Sequence, residues 1–150
     1  MSSTVVAINN ESVEPKLTDI REYWDIAREG ISFILKQDTR LTYLPEDVYS
    51  ECVNGRAILF TSSIGFVVVH IEVDQFTRAK SLVIWVAYVF NQGEHSWIDN
   101  VKWFEELAND CECDFIEARS SIPQLETYFL GTGWHLSTKV FTREVQKNGR

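Results

Sequence analysis

Apolar residues recur at helical spacing after Thr18 and Asp19. Ile20, Trp24, Ala27, Ile31 and Ile34 share one face, with Arg21, Asp25 and Arg28 on the other. Thr18 or Asp19 supplies the cap. Gly30 falls inside this pattern, where glycine costs about 1 kcal/mol of helix propensity, and marks a bend or a break into two helices. A second, shorter helix is predicted from Pro45, a favoured first-turn residue, with Glu46 and Asp47 suited to the positive helix end. It turns Val48, Tyr49 and Cys52 inward and stops at Asn54-Gly55.

The period then changes. Segments 56–61, 65–73 and 81–90 are β-branched and aromatic, which reads as three strands. The Ser62-Ser63 turn and the polar turn around 77–80 are too short for a crossover, so the strands form an antiparallel meander. Upstream, Thr4, Val5, Val6, Ala7 and Ile8 read as a short first strand, with 11–16 as a connection. Downstream, Ser96 caps an amphipathic helix with Asp99 three residues on, and Trp97, Val101, Phe104 and Ala108 line one face. Asn109 and Asp110 end it. A strand over 115–120 follows, then a helix opened by Pro123 that carries Leu125 and Phe129. Gly131-Thr132-Gly133 closes that helix, and 134–144 alternates as a last strand. The order is β, α, α, β, β, β, α, β, α, β. This is an α/β (α+β) chain with a mixed, mostly antiparallel central sheet flanked by helices. It reads as one domain over 1–150, with 1–16 and 146–150 as loose ends.

Composition narrows the function. The 150 residues are 45% hydrophobic and 24% charged, enough for one core. Net charge is -8, and the one basic run, 143–150, is interrupted by Glu144. A duplex binder needs a cationic face, so nucleic acid is not an expected partner. The longest apolar stretch, 82–90, falls short of the ~20 residues a bilayer requires, and the start lacks the features of a secretory signal. Cys52, Cys111 and Cys113 are odd in number and lack C-x-x-C spacing, which argues against disulfides or zinc and for a reducing, cytoplasmic setting. Three scattered histidines give no metal-ligand spacing. Acidic neighbours raise rather than lower a thiol pKa, so Cys111 and Cys113 are not nucleophile candidates. No Gly-x-Ser-x-Gly or Walker pattern is present.

The element order and the segment Tyr128-Phe129-Leu130-Gly131-Thr132-Gly133-Trp134 resemble the acyl-CoA N-acyltransferase (GNAT) superfamily over 18–145. That family closes with a similar aromatic, Gly-aromatic turn. The resemblance implies acetyl-CoA as donor, an amine as acceptor, and a backbone amide near Val86 or Ala87 that polarises the thioester carbonyl. It also places the coenzyme A loop at Gln92, Gly93, Glu94, His95 and Ser96. There the family carries Arg/Gln-x-x-Gly-x-Gly/Ala, so that backbone and helix N–H groups reach the pyrophosphate. Here His95 and Trp97 fill the two small positions and Glu94 adds negative charge, so the loop is degenerate. The family's acid, a Tyr four residues before the closing glycine, would fall at Phe129, and the adjacent Tyr128 is the phenol at hand. For the general base, strand alternation puts His70, Glu72 and Asp74 on one face opposite Val69, Ile71 and Val73, and Glu72 is the nominee. The same row is what the solvated face of a half-buried sheet presents.

Two functions follow from the resemblance. One is an acetyl-CoA-dependent N-acetyltransferase-like protein with a degenerate coenzyme A loop. The other is a non-catalytic GNAT-fold structural or interaction protein, with Trp97, Trp103 and Trp134 as interface anchors. Small GNAT-like proteins of this kind occur in bacteriophages, some as virion components, which makes the host cytoplasm or a virion the expected location. The expected partner is an amine substrate or another protein.

Overall fold

The β-branched run at 65–73 becomes the middle strand of a five-stranded sheet. In the computed structural model, which describes residues 14–93, 96–119 and 123–147, the strands are β1 Lys16–Thr18, β2 Ile58–Ser62, β3 Gly65–Val73, β4 Lys80–Val89 and β5 Phe115–Ala118. They lie in the order β1-β2-β3-β4-β5. Pairing is antiparallel up to β4 and parallel between β4 and β5. Helices α1 (Ile20–Gln37) and α2 (Pro45–Val53) follow β1. A 3-10 turn, Trp97–Asn100, leads into α3 (Val101–Asp110). These elements belong to a unit spanning 1–119, and residues 120–150 form a second unit with α4 (Pro123–Gly131).

Strand alternation sorts the apolar side chains into two cores. Phe66 and Val68 of β3 pack with Leu59 and Val86 against Ile20, Ala27 and Ile31 of α1 and Val48 of α2. Val67 and Val69 turn the other way, with Leu82 and Val89, against Trp97, Phe104 and Ala108. The central strands are therefore apolar on both faces, and both faces carry helices.

Several expectations need correction. Lys16, read as connection, opens β1, where Thr18 Oγ1 lies 2.6 Å from Thr61 Oγ1. The strand expected at 4–8 lies outside the described residues. β2 starts two residues late because the amides of Arg56 and Ala57 both donate to Glu51 O, closing α2 instead of joining the ladder. The last strand over 134–144 does not form: 134–147 carries no strand, and Val140 and Phe141 are 81% and 90% exposed. Alternation selects a face, but a strand also needs a ladder partner to take its hydrogen bonds.

Gly30 does not break α1, which runs unbroken from Ile20 to Gln37. A Cβ there would meet the Phe66 ring at 2.6 Å and the Tyr88 ring at 2.8 Å, so glycine is required by the approach of helix to sheet. Gly30→Ala should destabilise the chain by about 1–3 kcal/mol through overpacking, despite its better helix propensity. Urea denaturation would measure this. Asp19 caps α1 by accepting from Arg21 N at 2.9 Å, and its carboxylate pairs with the Arg21 side chain at 2.7 Å. The hydrogen bonds from the Arg21 side chain and backbone lower its pKa from 3.8 to about 2. A depressed folded-state pKa gives stability that is complete above about pH 4 and lost as pH falls through about 2. The gap in denaturation midpoint between wild type and Asp19→Ala should therefore be widest near neutrality and narrow below pH 4.

Candidate functional site

β4 outlasts its parallel partner. The β4–β5 register runs from Ser81↔Phe115 to Ile84↔Ala118, while β4 continues to Val89. At that point the β3–β4 register also shifts: Val69 faces Ile84 but Val68 faces Val86, so Trp85 is an extra residue on β4. Such a bulge bends the strand and re-aims side chains. Trp85 and Val86 consequently both pack on the α1/α2 side. Beyond the bulge, Phe90 N donates to Ile64 O. Alternation from that bond ties Val86 and Tyr88 to β3 and turns the backbone groups of Ala87 and Val89 away from it. Val89 O accepts from Gln92 Nε2 at 2.6 Å on that side. Of the two nominated amides, Val86 is 2% exposed and paired into β3, whereas Ala87 is exposed.

The loop after β4 is drawn onto the fold. Gly93 has φ +90, a left-handed conformation that favours glycine. Ser96 caps the 3-10 turn, its Oγ accepting from Ile98 N at 3.2 Å. Trp97 is 4% exposed and its Nε1 donates to Tyr88 O at 2.8 Å. Trp103 packs edge-on against Phe60 and Phe104. Trp97 is thus spent on the core, while Trp103 is half-buried. Glu94 and His95 lie outside the described residues. Asn100 Nδ2, at the start of α3, is a buried donor with no acceptor among the described residues.

The polar row on β3 is divided between two tasks. Asp74 Oδ1 accepts from Phe76 N and Thr77 N, both at 2.9 Å, and shapes the β3–β4 turn. The bonds from Thr77 and Phe76 hold its carboxyl below the usual range. His70 and Glu72 stay on the α1/α2 face, past the end of the apolar core. Glu72 pairs with Arg119 at 2.9 Å, and the same Arg119 nitrogen lies 3.0 Å from Glu117. His70 Nε2 is 3.8 Å from Glu72 Oε2, and its ring meets Trp85 edge-on at 5.9 Å. Tyr43, from the α1–α2 connection, packs on the other side of Trp85 at 5.4 Å. Arg119, Trp85 and Tyr43 escaped sequence reasoning. Arg119 stands two residues past Glu117 with the strand period, but only the β3–β4–β5 register brings it to Glu72.

In the second unit, Phe129 packs on Trp134 at 5.1 Å and Trp134 N donates to Phe129 O. Tyr128 is 40% exposed, and its carbonyl accepts from Thr132 Oγ1 at 2.9 Å. Adjacent helix positions point about 100° apart, so the phenol and the Phe129 ring face different ways. Burial pushes the Cys113 thiol up and raises Cys52 to about 11, which leaves neither activated. Among the described residues, no group of three or more His, Cys, Asp and Glu could hold a metal ion. Nor, among the described residues, is any helix long and apolar enough to cross a membrane. An open hollow of about 340 Å³ lies at the β1 edge among Leu17, Asp19, Cys52 and Leu59, and it includes none of the nominated residues.

Neither a protein-family model nor a curated protein matches the sequence. Solved structures do match. A protein from Pyrococcus furiosus assigned as an acetyl transferase superposes with a TM-score of 0.64 at 17% identity, over 88% of this chain and 100% of its own. The ribosomal-protein-alanine N-acetyltransferase of Brucella melitensis biovar Abortus 2308 gives 0.64 at 10% identity, over 89% and 99%. Glucosamine-6-phosphate N-acetyltransferase from Arabidopsis thaliana gives 0.62 at 10% identity, over 89% and 98%. The chain has the GNAT fold.

Trp97→Phe tests the anchoring of the loop. It deletes one hydrogen bond and part of a buried ring, and should lower stability by about 1–3 kcal/mol. Guanidinium denaturation monitored by circular dichroism would check it.

Proposed function

We propose that this chain is a divergent GNAT-type N-acetyltransferase that takes acetyl-CoA as donor and an amine as acceptor, with a weakened grip on the donor's phosphates. The observation that carries this reading is the run of β4 past the end of the β4–β5 ladder, with the exposed Ala87 turning its backbone away from β3. An amide N–H so placed can polarise a thioester carbonyl and stabilise the oxyanion formed on attack. The amine loses a proton to the His70–Glu72 pair. Its nitrogen then bonds to the acetyl carbon as the C–S bond breaks. The departing thiolate takes a proton from solvent.

The loop supports donor binding only in part. Gln92 spends its side-chain amide on Val89 O, Ser96 spends its hydroxyl on Ile98 N, and Trp97 is committed to the core. The Asn100 amide, a donor at the helix start without an acceptor among the described residues, suits an oxygen of the donor. The same self-satisfied loop favours a second reading, a GNAT-fold interaction protein without catalysis, active in a host cytoplasm or a virion if phage-encoded.

Calorimetric titration decides between the two readings. Acetyl-CoA should bind, and acetyl-pantetheine, which lacks the nucleotide and pyrophosphate, should bind within about tenfold of it, or about 1.4 kcal/mol. No heat from either donor at millimolar concentration would leave the interaction protein as the function.

A further inference from the structure

Two phenylalanines stand at positions that neither core claims. Phe33 lies off the buried stripe of α1 and is 38% exposed, and Phe90, just past the end of β4, is 42% exposed. Both turn to the same ring. The half-buried Tyr88 meets Phe33 edge-on at 5.8 Å and Phe90 edge-on at 6.0 Å, and rests on the buried Phe66 at 5.4 Å. Gly30 lets α1 come close enough to the sheet for this contact. The result is a group of linked rings, partly open to water, on the α1/α2 face of β4. An apolar patch of this kind marks a binding surface. It begins one residue past the exposed Ala87, on the face that also carries His70 and Glu72.

Charge narrows the occupant. Glu22, Ile26 and Glu29 continue the Phe33 stripe of α1 at steps of four, three and four residues, and all are exposed. The rim on that side is acidic, in a chain of net charge -8. A second copy docked face to face would bring these acids against their own counterparts, and the phosphates of acetyl-CoA would meet the same repulsion. A cation with an apolar body meets neither obstacle. Distance narrows it further. The nitrogen must reach a carbonyl held at the Ala87 amide while the apolar part lies on the side chain of the next residue. We propose that Phe33, Tyr88 and Phe90 form the acceptor subsite, and that the acceptor is a primary amine carrying an aromatic ring a few bonds from its nitrogen. This rests on the transferase reading. Edge-on and offset ring contacts then add to the burial of the substrate's ring, and an alkylamine of the same charge gains neither.

Two measurements on the full chain test the assignment. In calorimetry without any donor, phenethylamine should bind about tenfold tighter than ethylamine. Phe33→Ala and Phe90→Ala should each weaken phenethylamine about fivefold and leave acetyl-CoA affinity unchanged. Phe90 lies outside every helix and strand, so its variant reads the subsite even where Phe33→Ala disturbs α1. In thiol release from acetyl-CoA, the same variants should raise KM for phenethylamine by a similar factor, retain kcat, and leave ethylamine unaffected. Equal binding of the two amines would overturn the proposal, as would phenethylamine binding indifferent to both variants. A loss of acetyl-CoA affinity in the variants would assign the rings to the donor. A dimer in light scattering that the variants dissolve would assign them to a second copy, and either result sinks the acceptor subsite. Failure of acetyl-CoA to bind would instead overturn the transferase reading. The amine titration, which needs no donor, would still show whether the rings hold an arylalkylamine.

Discussion

The extra residue at Trp85 is the constraint on which the arrangement turns. In a regular strand Trp85 would still face α1 and α2, since Leu82 and Ile84 face α3, but Val86 and Tyr88 would alternate onto the wrong faces. With the register shifted between Val68 and Val69, Trp85 and Val86 both face α1 and α2. The same shift sets the phase of the rest of β4. It decides that Tyr88 stacks under Gly30 and Phe33, and that Ala87 turns outward. A Cβ at Gly65 would collide with the Tyr88 carbonyl oxygen, so the start of β3 is fitted to the same phase. One inserted residue thus links helix packing to backbone direction along the rest of β4.

Much of the fold was legible because its signals are local. The α1 face, the Pro45 start and Asn54 stop of α2, and the bounds of β3 follow from periodicity and capping, and all appear in the structure. The misses required knowledge of a partner. Lys16–Thr18 is too short to announce itself and becomes a strand only through Thr61, Phe60 and Leu59. Alternation over 134–144 was visible, but no ladder accompanies it. Gly30 looked like a weak point of its helix, whereas the reason for glycine sits on two other strands, at Phe66 and Tyr88.

The candidate site was legible in a similar way. Its residue types could be read from the chain, since His70, Glu72 and Asp74 share a strand parity. Their division of labour could not be read, because Asp74 is claimed by a turn and Glu72 by an arginine 47 residues away. The loop composition told of bulky side chains at positions suited to glycine. The structure adds that Trp97 is held by its indole N–H and by the core beneath it, so its bulk belongs to the packing of α3 against the sheet. Substituting it to reopen a phosphate cradle would remove a piece of the hydrophobic core.

Arg119 joins acids on β3 and β5, the two strands that flank β4, and so spans the sheet above Val83. At 61% side-chain exposure this bridge lies within reach of mobile ions. Exposed pairs add little to stability and are screened over roughly a Debye length, about 8 Å in physiological salt. Ionic strength therefore acts on this protein unevenly. Raised salt leaves the apolar ladder and both cores untouched, yet loosens the bridge that ties Glu72 on β3 to Glu117 on β5.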